Sequence, residues 1–180
     1  DKPVPQKIES KPAVTLEQGN SYIIVSANDK VYLFDAAYGA LISIEADGRE
    51  LLEAPMTLTV WRAPTDNDRN IKWEWKKHGF DKAEQKCYSM TAETNSDGSV
   101  TVKADISLGA KALVPFLRAH VEYTVYGDGS LTVKTDCDIN EKASFLPRLG
   151  YDICLPRWFD NVRWFGRGPG DAYKDMKLNS

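Results

Sequence analysis

Disulfide chemistry is scarce in this sequence: three cysteines, Cys87, Cys137 and Cys154, stand far apart, with no Cys-x-x-Cys pair. An odd, dispersed set argues against a disulfide framework and reads as buried thiols. Histidine is scarcer still. With His78 and His120 alone, neither a structural zinc site nor a histidine-activated nucleophile has enough partners. Charge of one sign is missing too: 23 Lys and Arg against 26 Asp and Glu leave a formal charge of -3, no electrostatic footprint for nucleic acid. No apolar run nears the roughly 18 residues that span a bilayer, and the opening "DKPVPQKIES" has neither an apolar signal core nor an initial Met. No membrane partner is expected, and the chain reads as excised from something longer. Repeats and low-complexity tracts are absent as well.

What is present is an ordinary globular composition. Hydrophobic residues make up 42% and charged residues 27% of 180 residues. A chain of that length forms one domain that buries roughly 70% of its unfolded surface. The first twenty residues carry three prolines without alternation and read as an extended connector. Beyond them period-2 alternation dominates. "SVTVKADIS" sets Val100, Val102, Ala104 and Ile106 on one face, "HVEYTVY" does so with Val121, Tyr123 and Val125, and "SLTVKTDCDI" with Leu131, Val133, Thr135, Cys137 and Ile139. "SYIIVS", "KVYLFD", "ALISIEA", "TLTVW", "YDICLP" and "VRWFG" are further short strands, about ten in all. "NSDG", "GDG" and "ADGRE" supply the Asp-Gly turns that tight hairpins need. The pattern predicts an antiparallel meander folded as an all-β sandwich. Only "NIKWEWKKHGF" argues for a helix, with Ile71 and Trp75 four apart and Gly79 just past its end.

Acid/base chemistry therefore falls to paired carboxylates: Asp66 and Asp68 in "VWRAPTDND", and Asp171 and Asp175 near the end. If residues 66 and 68 belong to a strand they face the same way, within reach of the two-carboxylate spacing of glycosidases. The competing reading is a structural corner, since Asp-Asn-Asp after a proline forms side-chain-to-backbone turns and Arg62 can neutralise one carboxylate. "WFGRGPGDAY" lacks the lysine and apolar helix of a phosphate loop. Five tryptophans, at 61, 73, 75, 158 and 164, fit either a sugar-stacking surface or core packing.

In order along the chain, "VYLFDAAYGALISIEADGRELL", "WRAPTDND", "WKKHGF", "LPRLGYDICLP" and "VRWFGRGPGDAYKDMKLNS" resemble the C-terminal domain of the large glycoside hydrolase family 2 β-galactosidases. The resemblance runs from about residue 20 onward. It implies an antiparallel β-supersandwich of galactose-mutarotase type, with one short helix near 70–78. Residues 1–19 would connect from a preceding domain, and 20–180 would form the N-terminal part of the C-terminal sandwich. The two catalytic glutamates of the family lie in a (β/α)₈ barrel, so no catalytic residue is expected in this chain. Nor is a cofactor: the Mg and monovalent cation of the whole enzyme would be bound by other domains.

By the same resemblance, Asp66, Asn67, Asp68, Arg69 and Asn70 would sit at the rim of the galactoside pocket. Trp61, Arg62, Pro64, Arg148, Gly166, Arg167, Gly168, Pro169, Tyr173 and Asp175 would form structural motifs. A later pocket-lining tryptophan of the family would fall beyond Ser180. Many members have Glu-Asn-Tyr after the "GRGP-x" motif and an Arg after the later Asp, where this chain has Asp171, Ala172 and Met176. It is more similar to members with "GPG-x-x-Y-x-D-x-K", ending on Lys177. The partners implied are β-galactosides, other domains of the same chain and further copies of the whole enzyme. A sandwich cut in its middle would either associate through its edges or survive as a smaller unit. The rivals are a stand-alone carbohydrate-binding or interaction module and an aldose epimerase built on His120 and Glu122.

Overall fold

In the computed structural model, residues 13–161 and residue 163 are described, and they form antiparallel sheets with one short helix. The first sheet is a meander in spatial order β1-β2-β3-β4-β5: Thr15–Gln18, Tyr22–Ala27, Lys30–Asp35, Ala40–Ala46 and Arg49–Glu50. A second runs β10-β9-β8-β7, from β7 (Glu84–Thr94), β8 (Val100–Gly109), β9 (Leu117–Val125) and β10 (Leu131–Ile139). A ribbon pairs β6 (Thr57–Thr59) with β11 (Gly150–Asp152), and α1 is Ile71–Lys77. The β4–β5 hairpin turns through Asp47 and Gly48 at φ 51° and 70°, the left-handed pair that a two-residue turn requires.

The alternating apolar faces of both sheets meet in one core. Ile23, Val25, Phe34 and Leu41 from the first sheet, and Val102, Ile106, Val121 and Tyr123 from the second, are all buried. Phe34 packs against Tyr123 with ring centroids 5.2 Å apart. The Tyr32 hydroxyl donates across the sandwich to the Gly129 carbonyl at 2.7 Å. β8 lies between β7 and β9 and buries polar groups only where they are bonded. Thr101 receives the Asn95 amide at 2.8 Å, and Ser107 meets the Tyr88 hydroxyl at 3.1 Å.

Several sequence expectations need amendment. Part of the supposed connector, Thr15–Gln18, is a strand paired with β2. The eleven-residue β7 escapes a period-2 search because its register with β8 shifts between Cys87 and Ser89. Gln85 and Cys87 are half-buried before the shift, Met90 and Ala92 after it, so the inward parity changes mid-strand. The strand in "YDICLP" ends at Asp152, and Cys154 beyond it is exposed rather than buried, its carbonyl accepting the Glu53 N–H at 2.9 Å; Cys87 and Cys137 are half-buried. The expected strand "VRWFG" and the "GRGPGDAY" motif, with Gly166, Arg167, Gly168, Pro169, Tyr173 and Asp175, lie outside the described residues, as do Asp171, Ala172, Met176, Lys177 and residues 1–12.

Helix α1 ends where the sequence indicates. His78 N–H bonds the Glu74 carbonyl at 3.0 Å, and Gly79 follows at φ 74°. A Cβ at Gly79 would come within 2.4 Å of the Ala110 Cβ, so both the backbone conformation and the close approach require glycine. The buried face of α1 carries Trp75, which is fully enclosed, while Trp73 points outward and is 61% exposed.

Candidate functional site

The corner after β6 is built from the ribbon outward. Past Thr59 the chain keeps pairing with the returning segment, Arg148 N–H bonding the Val60 carbonyl at 3.3 Å. Pro64, which has no N–H to offer, lies where that pairing gives way to a turn. Residues Asp66–Asp68 then form a single 3₁₀ turn, closed by Asp68 N–H to the Thr65 carbonyl at 3.0 Å. The stretch is a turn rather than a strand, as the structural-corner reading has it, so Asp66 and Asp68 share no face. A turn sends the two carboxylates apart: Asp68 is buried at 8% exposure, whereas Asp66 is exposed.

Asp68 is the acceptor at the centre of the corner. The Arg62 guanidinium engages it with both terminal nitrogens, at 2.5 and 2.9 Å, in the bidentate geometry that planar forks favour. Thr65 adds its N–H at 2.8 Å and its hydroxyl at 3.0 Å. These donors, Arg62 foremost and the Thr65 N–H next, hold the Asp68 carboxyl well below the usual carboxylate range. Arg62 also donates from Nε to the Pro147 carbonyl at 3.1 Å, tying the corner to a segment 85 residues away. Its guanidinium lies 5.1 Å from the Trp75 ring centroid. Trp75 in turn meets Trp61 and Phe145 edge-on, with centroids at 6.4 and 5.9 Å.

This geometry limits the chemistry. A carboxylate with four donors and a strongly lowered pKa neither holds a proton to give nor takes one readily near neutrality. Asp68 therefore acts as a clamp. The turn it clamps displays Asp66, Asn67, Arg69 and Asn70, all exposed. Among the remaining motif residues, Trp61 and Pro64 are half-buried at the corner, and Arg148 is exposed and paired with Asp152 at 2.7 Å. The contributions of Phe145, the Pro147 carbonyl and Trp75 beneath Arg62 carry no local sequence signal, because they reach the corner only through the β6–β11 pairing and the α1 packing.

The histidine and tryptophan candidates resolve differently. His120 lies on the outer face of the β7–β10 sheet, beside a depression of about 560 Å³. Its Nδ1 is bonded to Asp105 at 2.9 Å, while Nε2 stands 3.7 Å from the Glu122 carboxylate, a charge contact rather than a hydrogen bond. Asp105 is held below its usual range, first by the Ser89 hydroxyl and then by His120. Of the tryptophans, Trp75 is core, Trp61 is half-buried and Trp158 is 60% exposed. The exposed Trp73 ring has the Lys72 and Lys76 ammonium groups 5.4 and 5.3 Å from its centroid.

Comparison with known proteins points one way. Residues 26–180 match the family model described as "Beta galactosidase small chain". Similar proteins include β-galactosidases of Staphylococcus xylosus, 30% identical over 90% of this chain and 16% of that protein, and of Kluyveromyces lactis, 28% identical over 92% and 17%. A third, from Lactobacillus delbrueckii subsp. bulgaricus, is 32% identical over 84% of this chain and 15% of its own length. The chain thus spans about one sixth of the length of the curated relatives it matches. With the family model covering most of a β-rich chain whose corner motif is folded around Arg62 and Asp68, this chain belongs to the β-galactosidase small chain family.

Proposed function

We propose that this chain is a non-catalytic part of a longer β-galactosidase that hydrolyses terminal β-D-galactosyl bonds with retention, and that its corner shapes the rim of the galactoside pocket. The observation that carries this reading is the clamped turn: Arg62 and Asp68 hold its base, and Asp66, Asn67, Arg69 and Asn70 face outward as donors and acceptors. A rim needs side chains that are positioned before substrate arrives, because ordering them on binding would cost affinity. The catalytic carboxylates, the Mg and the monovalent cation would belong to other parts of the longer chain. Among the described residues no three His, Cys, Asp or Glu side chains come together as a metal-ligand set. Exposed Phe145, Leu149, Ile153, Leu155, Trp158 and Phe159 would face those other parts and support assembly.

The test is made in the full-length enzyme that carries this domain, with a nitrophenyl β-galactoside as substrate. Asp66→Ala and Asn67→Ala are expected to raise KM about 3- to 10-fold, the worth of one hydrogen bond, with kcat within about twofold. A kcat loss of about 10³-fold, the scale of removing a general acid or base, would overturn the rim assignment. The 180-residue chain alone is expected to show no turnover.

A further inference from the structure

The turn clamped by Arg62 and Asp68 runs straight into α1. Arg69 and Asn70, the two residues between them, already have right-handed helical backbone angles, with φ and ψ of -46° and -40° and of -92° and -46°. Arg69, Lys72, Trp73 and Lys76 therefore stand at i, i+3, i+4 and i+7, the spacing of a single helical face. Packing fixes where that face lies. Trp75 is the buried residue of α1 and Ile71 is half-buried, whereas on the other face Arg69, Trp73 and Lys76 are exposed and Lys72 is half-buried. The Lys72 and Lys76 ammonium groups lie 5.4 and 5.3 Å from the Trp73 ring centroid, so the indole holds both charges beside it. No acid shares this spacing: Glu74, the one carboxylate of α1, is 3.7 Å from Lys77 instead. Among the described residues no carboxylate comes within ion-pair distance of Arg69, Lys72 or Lys76. Like charges three and four residues apart destabilise a helix, and an anion seated among the three cations would remove that cost.

We infer that the face formed by Arg69, Lys72, Trp73 and Lys76 is a leaving-group subsite, and that it favours galactosides whose aglycone is an anionic sugar. The inference rests on the rim reading above. A face that continues outward from the rim turn meets the part of the substrate that projects from the pocket, which is the leaving group and not the galactosyl ring. The galactosyl group is neutral, so positive charge at this place discriminates only among leaving groups. Trp73 offers its ring to the apolar side of the aglycone, and the three cations meet its carboxylate or sulfate with charge-assisted hydrogen bonds. Because these charges are exposed, each contributes modestly, and salt screens the effect.

Two substrates that differ only in charge test the subsite in the full-length enzyme that carries this domain. Lactobionate and lactitol both place an open-chain six-carbon leaving group on the same β-1,4 linkage, but the first ends in a carboxylate and the second in a hydroxyl. The readout is the ratio of their kcat/KM values, followed by galactose release. In the double variant K72E/K76E this ratio is expected to fall about tenfold, and in K72R/K76R, which keeps both charges, to stay within about twofold of the original. Raising NaCl to about 0.5 M should lower the wild-type ratio and leave that of K72E/K76E nearly flat. A ratio indifferent to the charge reversal overturns the inference, as does an equal fall in K72R/K76R, which would make the effect one of shape. The rim reading is judged separately by the KM of Asp66→Ala and Asn67→Ala for the nitrophenyl β-galactoside. If those variants raise KM while K72E/K76E leaves the ratio unchanged, the rim stands and the anionic subsite falls; if KM does not move in them either, both fall.

Discussion

Replacing Trp75 with alanine removes the platform on which the Arg62–Asp68 corner rests. The side chain is 0% exposed, and truncating a fully buried tryptophan costs about 3–5 kcal/mol. Two edge-on aromatic contacts, to Trp61 and Phe145, are worth about 0.5–1.5 kcal/mol each beyond area, which places the expected loss at the upper end, near 5 kcal/mol. Trp75→Phe provides the control. The indole Nε1 is buried and has no hydrogen-bond partner among the described residues, so phenylalanine forfeits no hydrogen bond and keeps a ring beneath Arg62. Its expected cost is about 1–2 kcal/mol, the transfer and cavity contribution alone. In urea denaturation with a slope near 2 kcal/mol/M, W75A should move the midpoint by about 2.5 M and W75F by about 0.5–1 M. Equal shifts for the two variants would mean that the indole N–H holds a partner the structure does not contain. A W75A shift below about 0.5 M would mean that the corner stands without its platform.

Asp68→Asn probes the clamp through pH. Asp68 is held below its ordinary 3.8, so its stabilising contribution is complete above that value and is lost as pH falls through the lower folded-state pKa. The gap in urea midpoint between wild type and D68N should be flat from about pH 5 to 8 and close below about pH 4; a gap that persists unchanged through about pH 3 would refute the assignment. Tyr32→Phe leaves the buried Gly129 carbonyl without its 2.7 Å donor and should cost about 1–2 kcal/mol in the same assay. Gly79→Ala meets both a left-handed backbone and the Ala110 Cβ at 2.4 Å, whereas Gly48→Ala meets only the backbone penalty at φ 70° with nothing within 4 Å. G48A should cost about 1 kcal/mol and G79A at least about 2 kcal/mol; equal effects would show that the close approach relaxes freely.

Local rules carried much of the fold. The alternation at 100–106 and 121–125 identified the buried faces of β8 and β9, because successive strand side chains point to opposite sides. Asp-Gly pairs marked the turns, and Ile71, Trp75 and Gly79 bounded the helix within two residues. Where a local irregularity shifted the period, as at the β7 bulge, the strand went unseen. The same limit applies at the corner. Arg62 and two aspartates were legible as a balanced cluster, but a backbone turn at residues 66–68 decided that Asp68 goes in and Asp66 out.

The sequence by itself determined which residues are apolar, at what period, and where glycine must end an element. These are consequences of side-chain chemistry and backbone sterics within a few residues. Tertiary structure alone decided that Pro147 and Phe145 meet Arg62 and Trp75, and that β6 pairs with a strand about ninety residues later. Such pairings are selected by the joint burial of distant apolar faces, and no window of neighbouring residues encodes that term.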